Sequence, residues 1–162
     1  MSKSIKGSCL CQAVTYQFQG PEYVFQYCHC SRCRKFTGSA HAANIIIDPK
    51  NFEWLSGEDL VGRFEPAEAR HFATCFCKQC GSSLPWRSQS GSAMIIPAGT
   101  LDDDPGIKPT QNIYWQSRAP WLEEVSSLLH FEELPPVSYT HLRAHETSDD
   151  ISYAVFGLKR GG

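Results

Sequence analysis

The chain has 162 residues, a formal net charge of -2 and eight cysteines. That length suffices for one domain with a real core, and a balanced charge without a basic stripe speaks against a nucleic-acid partner. No run approaches the roughly 18 apolar residues of a membrane span, and the polar start from Met1 to Lys6 has no apolar signal region, so the expectation is a soluble, cytoplasmic protein.

Ser8 to Gly20 begins with Cys9-Leu10-Cys11 and then alternates Val14, Tyr16 and Phe18 with Thr15, Gln17 and Gln19. Period two predicts a half-buried strand. Residues i and i+2 of a strand share a face, so the C-x-C pair can turn both sulfurs toward one ion. Tyr23, Phe25 and Tyr27 alternate again and lead into Cys28-His29-Cys30-Ser31-Arg32-Cys33. Arg34 to Gly38 reads as a short turn closed by glycine. Ala42 to Ile47 predicts a buried strand, ended by Asp48-Pro49.

Phe52 to Leu55, Leu60 to Phe64 and Arg70 to Cys75 are further strand candidates. Cys77-Lys78-Gln79-Cys80-Gly81 has the form of a zinc knuckle. Leu84 to Arg87, Ala93 to Ala98 and Asn112 to Gln116 continue the β pattern, with a turn-rich loop from Pro97 to Pro105 between the last two. In Pro120 to Leu129 the period changes: Trp121, Leu122, Val125, Leu128 and Leu129 fall on one helical stripe behind Pro120. The chain therefore reads as mainly β, with one short helix near the end.

Residues 137–147 and 151–156 read as the in-frame translation of a sequencing-library adapter and its flow-cell end. On that reading the native domain stops near Pro135, residues 136–162 are not a domain, and His141 and His145 are not metal ligands.

The cysteines fall into tight C-x-C and C-x-x-C groups, which suit metal ligation better than disulfides in a reducing compartment. Cys9, Cys11, Cys77 and Cys80 supply two pairs, enough for one closed structural site. Cys28, Cys30 and Cys33 supply three thiolates, which can hold a zinc ion and leave its fourth position open, the arrangement of a catalytic site. Spacing also allows a closed alternative with Cys75 as fourth ligand, because Cys75-x-Cys77-x-x-Cys80 repeats the C-x-C-x-x-C pattern. Two closed zincs would make a purely structural protein.

Other candidates carry weaker signals. His29 lies between two ligands and would point away from the metal, while His41 and His71 read as ordinary core or surface histidines. Arg32, Arg34 and Lys35 border the open site and could attract carboxylates. Asp102-Asp103-Asp104 reads as a solvated loop.

Five motifs now stand in order: Gly7-Ser8-Cys9-Leu10-Cys11; Cys28 through Lys35; Gly38-Ser39-Ala40; Phe76 through Ser82; and Pro97 through Asp102. Together they resemble the glutathione-dependent formaldehyde-activating enzyme family, which includes the centromere protein V-like domains. The resemblance covers about residues 5 to 135. It implies a zinc-bound β-tent of short antiparallel strands with two zinc ions per chain. One is structural, on Cys9, Cys11, Cys77 and Cys80; one is catalytic, on Cys28, Cys30 and Cys33. It also implies condensation of formaldehyde with glutathione to S-hydroxymethylglutathione, formally a carbon–sulfur lyase reaction, so the partners would be a glutathione-like thiol and an aldehyde. Cys75 lies outside the family's ligand pattern, and Gln12 stands where the family usually has glycine. The competing expectation is a non-enzymatic β-tent zinc module that binds a protein or small ligand. Oligomeric state leaves no signal in the sequence.

Overall fold

The computed structural model describes residues 3–135. Among the described residues, eleven strands form three sheets. The first sheet has the order β1-β2-β5, with β1 at Ser4–Ser8, β2 at Thr15–Gln19 and β5 at Phe52–Ser56. The second has five strands, ordered β11-β3-β4-β10-β9: β3 is Glu22–Cys28, β4 Ala42–Ile47, β9 Trp86–Arg87, β10 Met94–Pro97 and β11 Gln111–Ile113. The third joins β6 at Val61–Phe64, β7 at Thr74–Cys77 and β8 at Ser83–Leu84. The fold is mainly β, as expected. One pairing departs from the antiparallel expectation: β11 runs parallel to β3, with Ile113 beside Cys28.

Alternation sets the main core. Ile5, Tyr16 and Phe18 from the first sheet pack on Ile45, Ile47, Met94 and Ile96 from the second. Each such side chain contributes roughly 1.5–3 kcal/mol on full burial. A second cluster gathers Cys9, Val14, Ala73, Cys75, Leu84 and Trp86 near the third sheet. A small third cluster holds Cys28, Cys33 and Ala42.

Three expected elements differ. Cys9 to Gln12 is a turn between β1 and β2, not the start of a strand. The Gln12 N–H donates to the Cys9 carbonyl and the Cys9 N–H to that of Val14, with Gln12 at φ 62 in the left-handed region. The segment after Cys30 is not a turn but the one α-helix among the described residues, α1, at Ser31–Thr37. The Cys30 sulfur accepts from the Cys33 N–H at its start, and Gly38 at φ 64 closes it. The helix expected over Pro120 to Leu129 is absent; only a 3-10 turn at Val125–Ser127 forms there. Trp121, Val125, Leu128 and Leu129 are all exposed. A short amphipathic segment without a burying surface does not gain enough to pay helix nucleation. The described residues from Glu123 onward fall in a unit separate from the preceding domain. His141, His145 and the adapter-like stretch lie outside the described residues.

Candidate metal centre and adjoining cavity

Two turns of like design bring the first set of cysteines together. In one, Cys9 and Cys11 flank the β1–β2 turn. In the other, the Gly81 N–H donates to the Cys77 carbonyl and Gly81 sits at φ 77, which only glycine adopts without strain. Ser82 ties the turns to each other: its hydroxyl accepts from the Leu10 N–H at 2.8 Å and lies 3.3 Å from the Cys80 sulfur. The four sulfurs of Cys9, Cys11, Cys77 and Cys80 lie within 4.8 Å of one another. Cys9 and Cys11 are 3.5 Å apart and Cys11 and Cys77 3.9 Å. Zinc–sulfur bonds of about 2.3 Å place tetrahedral sulfurs roughly 3.8 Å apart, so this donor set fits the ion. The Ser82 hydroxyl and amide pull the Cys80 thiol down to about 5.

Cys28, Cys30 and Cys33 form the second set, also within 4.8 Å. Cys28 ends β3, Cys30 caps α1, and Cys33 lies one turn into the helix. Hydrogen bonds from Cys28 and Cys33 pull Cys30 down to about 2. The Cys30 contact in turn pushes Cys28 up, and the Cys28 and Cys30 contacts push Cys33 up. The three sulfurs thus converge closely enough that each shifts the others. A cation in their midst would replace the remaining protons, so the chemistry of this set also fits zinc.

Cys75 belongs to neither set. It is buried in the second core cluster, with Arg63 Nη1 at 3.8 Å from its sulfur. Burial pushes its thiol up, against the pull of Arg63. The closed alternative in which Cys75 completes the three-cysteine set does not form in this structure.

A cavity of about 560 Å³ opens beside the second set, and Cys28, Cys30 and Cys33 all line it; the first set does not. Phe72, Trp86 and Ile113 give it apolar walls, and Arg32 and Arg70 give it positive charge. Of the three basic residues singled out in the sequence, Arg32 lines the cavity and lies 3.9 Å from Glu68, whereas Arg34 and Lys35 do not line it. Arg70 and Asn44 carried no local signal: they come from distant segments and meet the cysteines only through the tertiary fold. Asn44 is buried and borders the cavity. His71 also lines the cavity.

His29 is buried. Its Nε2 donates to Asn112 Oδ1 at 2.9 Å, and its ring packs between His41 and Trp115. Burial, then neighbouring His29, pushes the His41 imidazole below its usual range. Of the three rings only that of His29 is buried, and neither histidine joins a sulfur set. Asp102 and Asp103 are likewise structural: they accept from the Ser8 hydroxyl and the Lys6 N–H, both at 2.9 Å.

Residues 4–117 match the glutathione-dependent formaldehyde-activating enzyme family. The chain belongs to this family. A curated protein of Halomonas elongata, provisionally named for the same activity, is 25% identical over 130 residues, covering 74% of this chain and 80% of that protein. The crystal structure of a Rhodobacter sphaeroides protein shares the fold at a TM-score of 0.52 and 20% identity, covering 66% of this chain and 98% of that one. Among the described residues no helix is long and apolar enough to cross a membrane.

Proposed function

We propose that this chain is a zinc-dependent carbon–sulfur lyase that joins a glutathione-like thiol to a small aldehyde and cleaves the adduct in reverse. The observation that carries this reading is the placement of the Cys28, Cys30 and Cys33 sulfurs in the wall of the 560 Å³ cavity, with the four-cysteine set apart from it. Its volume lies within the range of small-molecule sites. A zinc held by the three thiolates would supply Lewis acidity at an open position and favour the thiolate form of a bound thiol at neutral pH. Cys9, Cys11, Cys77 and Cys80 would hold a second, structural zinc.

The protein's own groups have separable tasks. Arg32 and Arg70 offer guanidinium forks to the carboxylates of the thiol; Arg34 and Lys35, off the cavity wall, have no part in this version of the proposal. Phe72, Trp86 and Ile113 displace water from the reacting atoms. Asn44, in the same wall, offers its carboxamide N–H to the carbonyl oxygen. As the sulfur lone pair forms the S–C bond, the carbonyl π pair moves to oxygen, and the thiol proton ends there. Nothing is oxidised or reduced. The native domain in this reading is residues 5–135, and the protein is cytoplasmic, where its thiols stay reduced.

The test is glutathione-dependent formaldehyde consumption by the zinc-loaded protein, measured against the uncatalysed rate. Acceleration that Cys28→Ala abolishes supports the reading. No acceleration with glutathione or any of several other thiols sinks it, and leaves a non-catalytic zinc module.

A further inference from the structure

A second cavity, of about 210 Å³, lies against the first. The two share four residues in their walls: Cys33, Asn44, Phe72 and Trp86. Their surroundings otherwise differ in kind. The larger one carries Arg32, Arg70 and His71. The smaller has no charged residue in its wall and is closed mainly by Phe36, Ala42, Ala43, Phe72, Trp86 and Pro97. Pro97, Gly99 and Thr100 of the Pro97–Asp102 motif form one side of it, which gives that motif a role that neither metal set requires.

A two-substrate addition needs two adjoining sites that meet at the reacting atoms. Here one is charged and large, the other apolar and small, and Cys33 and Asn44 belong to the walls of both. Formaldehyde has no side chain and would leave the small cavity unfilled. An engineered apolar cavity of about 150 Å³ holds benzene, so 210 Å³ accepts a chain of comparable carbon count.

Resting on the lyase reading above, we propose that the small cavity is a subsite for the apolar chain of the aldehyde, and that this enzyme takes alkyl or aryl aldehydes. The carbonyl carbon lies at the junction, where the thiol sulfur from the large cavity adds to it. The S–C bond forms as the C=O π bond breaks, and the thiol proton goes to the resulting oxygen beside the Asn44 carboxamide. The product is a hemithioacetal whose alkyl chain stays in the apolar cavity.

The experiment compares propanal, butanal, pentanal and hexanal, whose carbonyls are of similar reactivity, with glutathione and the zinc-loaded full chain. The expected KM falls roughly threefold to fourfold per added methylene until the cavity is full. Gly99→Leu adds a side chain to the cavity wall. Gly99 has no positive φ, and a Cβ there would meet no atom within 4 Å. The substitution is expected to flatten the chain-length dependence. A second measurement needs no turnover: titration with hexan-1-ol should shift the Trp86 indole N–H resonance in the wild type and not in Gly99→Leu. A flat KM series in an enzyme that still turns over formaldehyde overturns this proposal and spares the lyase reading. No turnover of any aldehyde overturns the lyase reading, and the hexan-1-ol titration then still decides whether the cavity takes an alkyl chain: no Trp86 shift overturns the subsite as well.

Discussion

Gln12 and Gly81 occupy equivalent places after the C-x-C and C-x-x-C pairs, and both have positive φ, 62 and 77. A side chain in the left-handed region costs roughly 1–2 kcal/mol, partly returned by the smaller unfolded-state freedom of a non-glycine residue. Gln12→Gly should therefore stabilise the metal-loaded protein by about 0.5–1 kcal/mol, read as a raised midpoint in urea. A lowered midpoint would mean that the Gln12 side chain makes a contact worth more than the strain. Cys75 gives the complementary case. Its sulfur lies outside both sets and its thiol is held neutral by burial. Cys75→Ala should lower stability by about 1 kcal/mol for the lost buried sulfur and leave zinc stoichiometry unchanged. Cys28→Ala should reduce it by one ion. Elemental analysis of the two variants decides the matter, and loss of zinc from Cys75→Ala would restore the closed-site alternative.

At the scale of elements, β1 is held in place by more than its pairing with β2. Gly7 bridges Leu101, the Asp102 N–H donates to the Lys6 carbonyl, and Asp102 and Asp103 accept from Ser8 and Lys6. The close approach needs a residue without a side chain, because a Cβ on Gly7 would collide with the Tyr16 ring and the Thr100 carbonyl. Tyr16 is fully buried and its hydroxyl meets Thr100 Oγ1 at 2.6 Å, so it has no room to yield. Gly7→Ala should cost about 2–3 kcal/mol, in the range of other overpacked sites, and thermal melting would read this directly. A neutral result would mean that the loop can lift from the strand. Because Thr100 also lines the small cavity, the same variant should alter aldehyde selectivity if the loop does move.

For the whole molecule, the four-cysteine set joins residues nearly seventy positions apart: Cys9 and Cys11 before β2, Cys77 at the end of β7 and Cys80 just beyond it. Metal binding at such a set is folding energy, on the order of 10 kcal/mol. A strong chelator should unfold the domain cooperatively, as loss of the far-ultraviolet β signal, with zinc restoring it. A chelated protein that kept its full signal would show that the apolar clusters suffice alone. Removing residues 136–162 tests the adapter reading. The shortened chain should match the full chain in zinc content and melting temperature, and a lower melting temperature would mean that those residues belong to the native fold.

Much of this was legible in order along the chain. Cysteine spacing marked both sulfur sets, since metal ligands must be close in sequence or lie on turns that return them. Alternation located β3, and an apolar run ending in β-branched residues located β4, almost to the residue, because a half-buried or buried strand must show its faces in its residues. The C-terminal stripe misled for the matching reason: periodicity records a face able to be buried, not whether a surface exists to bury it. What only the tertiary structure decided was placement between distant segments. It left Cys75 in the core, brought Arg70 and Asn44 to the open sulfurs in place of Arg34 and Lys35, and set two cavities back to back at Cys33. Those relations depend on how separate sheets pack, a long-range choice for which no local window of sequence carries a signal.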